Sequence, residues 1–282
     1  MIRGKLRRSL WCWLGLSPLL VMTLWPFAVM LSTALKPTAE VLVFPPHWLP
    51  TRLAWGNFVD MWSTVGFGTA ALNSLVIGIT ATLLSIVIAL PAAYAMSRLP
   101  FRGRGGYRQF LLVTQMLSPI LLVLGLFRMA ASIPFGDGTL VDTRTGVIVI
   151  YAAYHLAFAV WMLASYFATI PRDLEEAAWI DGANRMQAVF FIFMPLAMPA
   201  IAVCGIVTFV ASWNEFTVAL TLLRDPSRLT LPLKVVNLVA GRYSVEWNQV
   251  MAATLLATLP VAVVFALLQR YLVQGLTLGA VK

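Results

Sequence analysis

The sequence predicts an all-α, polytopic membrane protein that crosses the bilayer about six times, with both termini in the cytoplasm. Three observations carry this expectation: an apolar composition, a series of long apolar runs, and basic residues gathered between those runs. Hydrophobic residues make up 60% of the 282-residue chain and charged residues 11%, whereas a soluble domain holds roughly 25% charged residues. A globular fold of this length has too little interior to hide so much apolar surface, so lipid must act as the solvent for much of it.

Runs long enough to cross a bilayer lie near Leu10–Leu35, Ala71–Ala95, Phe110–Ala131, Val147–Ala168, Leu196–Leu223 and Val250–Leu272. The first follows Arg3, Lys5, Arg7 and Arg8 and has the charge order of a signal peptide. It is too long for a cleavable apolar region of ~7–15 residues and reads as a retained helix. Prolines 18, 26, 91, 119, 199 and 260 fall inside the runs. Each removes a backbone hydrogen bond, which gives either a kink used in motion or an ordinary bend.

The positive-inside rule sets the direction. With the amino terminus inside, the cytoplasmic face collects the first four basic residues, then Arg98, Arg102, Arg104, Arg108, Arg172, Arg185, Arg270 and Lys282. The outer face holds fewer, on longer segments: Lys36, Arg52, Arg128, Arg144, Arg224, Arg228, Lys234 and Arg242. The net charge of +9 therefore reads as topology, with no nucleic-acid partner implied. The expected organisation is a basic cytoplasmic segment over 1–9, a first span over 10–35, an outer Pro/Trp-rich segment over 36–70, a core over 71–272 and a cytoplasmic tail over 273–282. The outer segment holds Pro37, Pro45, Pro46 and Pro50 with Trp48, Trp55 and Trp62. Prolines exclude a simple helix and tryptophans favour the water–lipid interface, so this segment is expected to lie along the outer surface.

The inner loop over 171–195 is long and patterned. Pro171 suits a helix start, and Asp173, Glu175 and Glu176 follow in the first turns, where carboxylates favour the positive helix end. Ala177 and Ala178 present little side chain, Gly182 breaks the helix, and a second segment runs towards Pro195. A short helix, a glycine turn and a second helix form a shape that fits a groove on another protein. The acids here outnumber Arg172 and Arg185, unlike the basic helices that lie on lipid headgroups.

Glu176-Ala177-Ala178, three residues, Gly182, nine residues, then Ile192-Phe193-Met194-Pro195 resembles the EAA loop of permease subunits in bacterial binding-protein-dependent ABC importers. Only Met194 departs from the pattern, standing where leucine is usual. Ser212-Trp213-Asn214-Glu215-Phe216, Gln115-Met116, Leu35-Lys36-Pro37 and the ending from Gln269 to Lys282 are similar to carbohydrate-uptake permeases of the maltose and glycerol-phosphate type. The resemblance implies a type I ABC importer permease fold in the bacterial cytoplasmic membrane. It implies a coupling helix docking into a cleft on a separate pair of ATPase subunits, which carry ATP and magnesium. Carried over by position, Glu176, Ala177, Ala178, Gly182, Ile192 and Pro195 are the docking residues. The other implied partners are a second homologous permease, a periplasmic or lipid-anchored solute-binding protein, and membrane lipid.

No phosphate loop of the GxxxxGK[ST] form, no HExxH and no nucleophile constellation occurs. No catalytic residue, metal site or cofactor is therefore expected on this chain, and ATP hydrolysis is assigned to a partner. Cys12 and Cys204 lie in apolar runs, where a structural disulfide is not expected. Asn214, Glu215, Gln115, Tyr151, Tyr154 and His155 are the candidates, among the polar residues within spans, to face a transport path. They have two readings: lining a path for a sugar or polyol, or hydrogen bonding between helices. An ion-gradient-driven transporter is the alternative function, as is a permease for a non-carbohydrate solute or a non-transporting scaffold. An ion-driven transporter would normally show paired repeats and several buried acids; here Glu215 stands alone.

Overall fold

A computed structural model describes the backbone of residues 2–136, 138–240 and 245–280, and side chains within 12–136, 138–240, 245–267 and 269. Arg3, Lys5, Arg7, Arg8, Arg242, Arg270, Lys282 and the carboxy-terminal motif beyond Gln269 lie outside the residues with described side chains. Among the described residues, four helices are long and apolar enough to cross a membrane. Two further pairs qualify if each bent pair is one span, giving up to six. The chain divides into two units, Met1–Gly68 with Lys234–Leu259, and Thr69–Leu233 with Pro260–Lys282.

In the first unit, α1 (Ile2–Ala34) tolerates Pro18 and Pro26 within the helix. Its side chains from Trp13 to Phe27 stand exposed, as befits a helix solvated by lipid. The proline-rich segment after it forms two short helices, α2 (Thr38–Val41) and α3 (Gly56–Val65), joined by irregular chain. Polar groups clasp this segment to the end of α1. Asn57 Nδ2 donates to the carbonyls of Ala34 and Lys36 at 2.7 and 2.8 Å. Asn248 Nδ2 donates to Thr38 Oγ1 at 3.0 Å and to Asn57 Oδ1 at 3.1 Å. Lys36 is buried and donates its ammonium to the His47 carbonyl. Trp48, Trp55 and Trp62 remain exposed.

The second unit is built on α4 (Phe67–Arg98), α5 (Arg104–Met116), α6 (Pro119–Ser132) and α7 (Arg144–Phe167), with a two-stranded hairpin, Pro134–Phe135 against Gly138–Thr139, before α7. The inner loop contributes α8 (Asp173–Ile180), α9 (Arg185–Ala188), a π-helical turn (Val189–Phe193) and α10 (Met194–Leu196). Next come α11 (Met198–Asn214) and α12 (Thr217–Leu222); α13 (Leu231–Asn237) passes into the first unit at Lys234, and α14 (Trp247–Ala280) belongs to the first unit up to Leu259 and to the second beyond it. One core cluster joins Ile86, Ala89, Leu90, Ala93 and Tyr94 of α4 to Ala159, Val160, Leu163 and Phe167 of α7. It also takes in Phe193, Ala200 and Cys204. Small residues let the backbones approach: a Cβ on Gly78 would meet Phe209 of α11 at 3.2 Å. Gly146, in the first turn of α7, has its would-be Cβ against the Leu140 carbonyl, so only glycine fits there.

Two expected spans are not single helices. The third breaks between α5 and α6 with a 100° bend. Pro119 pushes Ser118 out of the helical region (φ −67, ψ 137), so a proline expected to give a kink or a bend instead separates two helices. The fifth is interrupted twice. Arg185–Leu196 and Met198–Asn214 meet at 80° around Ala197, and the chain turns extended at Glu215 (ψ 129) before α12.

Candidate functional site

The inner loop is assembled by local signals. Ala183 N–H bonds to Ala178 O at 2.9 Å and Gly182 N–H to Trp179 O at 3.1 Å. With Gly182 at φ +86, this is a Schellman ending, for which a residue without Cβ is suited. Asn184 immediately starts the next helix through a capping box. Its side chain accepts from Gln187 N at 2.9 Å, and Gln187 Oε1 accepts from Asn184 N at 2.7 Å. That Asn-x-x-Gln spacing was readable in the sequence.

On α8, Glu175 and Ala178 share one face and are buried, while Glu176, Ala177, Trp179 and Ile180 are exposed. Ala178, expected on the docking surface beside Ala177, is thus turned into the chain's own interior. Gly182 and half-buried Ile192 line one groove of about 270 Å³ with Asp181, Ala183, Gln187 and Phe191. Pro195 is exposed beyond it. Phe191 of this lining and Ile180, which precedes Asp181, are large apolar side chains 76% and 86% exposed.

Sequence reasoning did not single out the anchor of this loop. Glu175 Oε1 accepts a hydrogen bond from the Tyr94 hydroxyl, and its Oε2 lies 3.6 Å from Arg98 Nε, both side chains 6% exposed. Arg98 Nη2 donates to the carbonyls of Phe167, at 2.9 Å, and Ile170. It thereby neutralises the carbonyl end of α7. Its guanidinium carbon sits 5.0 Å from the centre of the Phe193 ring, and Phe193 packs edge-on to Tyr94 at 5.2 Å and against Phe167 at 5.3 Å.

The polar residues of the spans separate into two groups. Gln115, Tyr154 and His155 line one cavity of about 200 Å³ with Phe158, Val207, Thr208 and Ala211. His155 Nε2 is buried there without a hydrogen-bond partner, and Thr208, beside the Cys204 thiol, went unnoticed as one hydroxyl in an apolar run. Tyr154 also donates to the Leu117 carbonyl at 3.2 Å. Tyr151 and Glu215 lie outside this lining and bond to each other at 2.6 Å. Glu215 also accepts the amides of Val218 at 2.9 Å and Ala219 at 3.2 Å. Its carboxyl therefore closes the start of α12 and ties it to α7, the interhelical reading. Asn214 is exposed and bonds only within its own helix, to Val210 O at 3.0 Å. Among the described residues no group of three or more His, Cys, Asp or Glu is placed to hold a metal ion.

Long apolar helices, two bent helix pairs and a capped loop between them describe a multi-pass membrane component. Residues 81–278 match the family of binding-protein-dependent transport system inner membrane components, and the chain belongs to it. It is 36% identical over 270 residues to the inner membrane ABC transporter permease protein YcjP of Escherichia coli K12, covering 95% of this chain and 94% of that one. It is also 36% identical over 228 residues to the trehalose/maltose transport system permease protein MalG of Thermococcus litoralis, covering 80% of each. A crystal structure of a bacterial ABC transporter that imports the acidic polysaccharide alginate superposes with a TM-score of 0.78 at 23% identity, over 96% of both chains. The fold is that of a type I ABC importer permease, and the protein is a multi-pass inner-membrane transport component.

Proposed function

We propose that this chain is the permease subunit of an ATP-driven importer for a sugar or polyol, docked through its inner loop to a separate ATPase. The observation that carries the reading is that Trp179, Ile180 and Phe191 stand 47%, 86% and 76% exposed on the loop that also exposes Glu176, Ala177 and Gly182. Apolar side chains clustered on a loop and rimmed by polar ones mark a protein partner. ATP and magnesium belong to that partner. A second homologous permease completes the bundle, and a solute-binding protein delivers cargo from outside. Closure of the ATPase pair on ATP moves the loop, opens the bundle outward, and hydrolysis resets it inward.

The relatives' names favour a carbohydrate, since one of them transports trehalose and maltose. The free nitrogen of His155, in a cavity with Gln115, Tyr154 and Thr208, supplies a hydrogen-bond partner of the kind hydroxyl-rich solutes need. The test is uptake of labelled disaccharides and polyols into proteoliposomes holding the whole complex, with its binding protein outside and ATP inside. Uptake should require ATP and fall with His155→Ala. Uptake that persists after ATP depletion would instead indicate an ion-driven transporter.

A further inference from the structure

We infer that the buried cluster of Glu175, Arg98, Tyr94 and Phe193 is the joint through which movement of α8 enters the membrane bundle. Glu175 and Arg98 are its positioning residues. The inference rests on the reading of the inner loop as an ATPase docking site.

The first support is how little else holds α8. Of its side chains only Glu175 and Ala178 are buried, while Leu174, Trp179 and Ile180 are open at 44%, 47% and 86%. A helix with almost no apolar anchor is held to the body chiefly by one carboxylate. The second is where that carboxylate leads. Tyr94 and Arg98 sit on the last turns of α4, and Arg98 also binds the carbonyls of Phe167, the last residue of α7, and of Ile170 just beyond it. Phe193, at the end of the π-helical turn, is fully buried against Arg98, Tyr94 and Phe167. One guanidinium thus touches α4, the end of α7, α8 and the π-helical turn. The third is chemical. A buried ion pair is weak evidence for stability, because desolvation offsets the attraction, and here Arg98 Nε faces Glu175 at 3.6 Å without a hydrogen bond, but separating the two would leave each charge buried and uncompensated. Pushing α8 therefore carries the ends of α4 and α7 with it, since sliding would strand a buried charge.

Glu175→Gln keeps the size and an acceptor for Tyr94 while removing the charge, and Arg98→Met removes the guanidinium fork. In the complete transporter both should retain the ATPase subunit on purification, yet move about tenfold less solute per ATP hydrolysed, within the ~5–150-fold range of couplings between sites. The double variant should be no worse than either single one, because both break the same connection. Arg98→Lys should recover only part of the loss, since an ammonium cannot reproduce the fork. Solute per ATP within about twofold of wild type in both single variants would overturn the joint. If the variants fail to assemble, spin labels at Leu174 and Phe101 in a Cys12→Ser background decide with the cluster intact. Their separation should hold between nucleotide-free and ATP-bound states, and a change of about 5 Å, one helical turn, would overturn it. Failure of the underlying reading looks different: a wild-type complex that lacks an ATPase or imports without ATP.

Discussion

Replacing Gly182 separates the backbone demand of the loop from its packing. A Cβ there would meet nothing within 4 Å, so space is no obstacle to alanine or valine. The obstacle is φ +86, a conformation that costs a residue with Cβ about 1–2 kcal/mol and a β-branched one more. Against a total stability of about 5–15 kcal/mol this leaves the chain folded and inserted. Within the turn, 1–2 kcal/mol shifts the balance between the Schellman ending and a relaxed one by about 5–30-fold. A relaxed turn would release the Gly182–Trp179 and Ala183–Ala178 hydrogen bonds and re-aim α8 relative to α9. The assay is solute uptake and ATP hydrolysis by the reconstituted complex, with membrane abundance as control. Solute moved per ATP should fall in the order Gly182→Asn, Gly182→Ala, Gly182→Val, asparagine being mildest because it tolerates positive φ. A valine variant that transports as much solute per ATP as wild type would refute a rigid-turn role.

Three further outcomes follow from side-chain geometry. Glu215→Ala strands the Tyr151 hydroxyl and two α12 amides, costing about 1–3 kcal/mol. Tyr151→Phe should cost less, about 0.5–1.5 kcal/mol, in thermal unfolding of the solubilised protein; equal effects would sink the capping assignment. Asp142, itself at φ 56, accepts the amides of Arg224 at 2.9 Å and Asp225 at 3.0 Å. Asp142→Ala should lower stability by about 1–3 kcal/mol, whereas loss of the half-exposed Arg228 partner should cost under about 1 kcal/mol. The Thr51 hydroxyl, with its amide, holds the exposed Glu40 carboxyl below its usual 4.5. Its contribution is present above about pH 4.5 and lost as pH falls through the depressed value. Thr51→Val should move that acid loss to higher pH in melting curves taken from pH 3 to 6, and an unmoved acid limb would count against the pairing.

Much of the bundle is legible as apolar runs, because lipid forces every spanning backbone to pair within itself. The turn at Gly182 is legible too, since a glycine between two amphipathic stretches points to a helix ending. The broken spans are not. Pro119 is compatible with a kink or a stop, and the choice depends on what neighbouring helices can re-pair. Glu215 ends α11 with no proline nearby, through contacts made across space to Tyr151. The same limit hid the loop's anchor. Glu175 and Glu176 are adjacent and chemically alike, and which faces inward depends on the phase of a short helix flanked by two alanines. Tyr94 and Glu175 are 81 residues apart, a separation over which no local pattern announces a contact. Of the residues expected to line a path, the cavity unites Gln115, Tyr154 and His155, while Tyr151 and Glu215 are engaged with each other.

The most direct test of the docking account is a site-specific cross-link from α8 in the assembled transporter. Cys204 is buried and Cys12 exposed, so a Cys12→Ser background leaves Ala177→Cys as the accessible inner-loop thiol. A short thiol–amine reagent applied to membranes holding the whole complex should join Ala177→Cys to the ATP-hydrolysing chain, and leave the outer-segment control Val59→Cys unjoined to it. An actively transporting complex in which Ala177→Cys reaches no ATPase, or in which Val59→Cys does, would contradict the account.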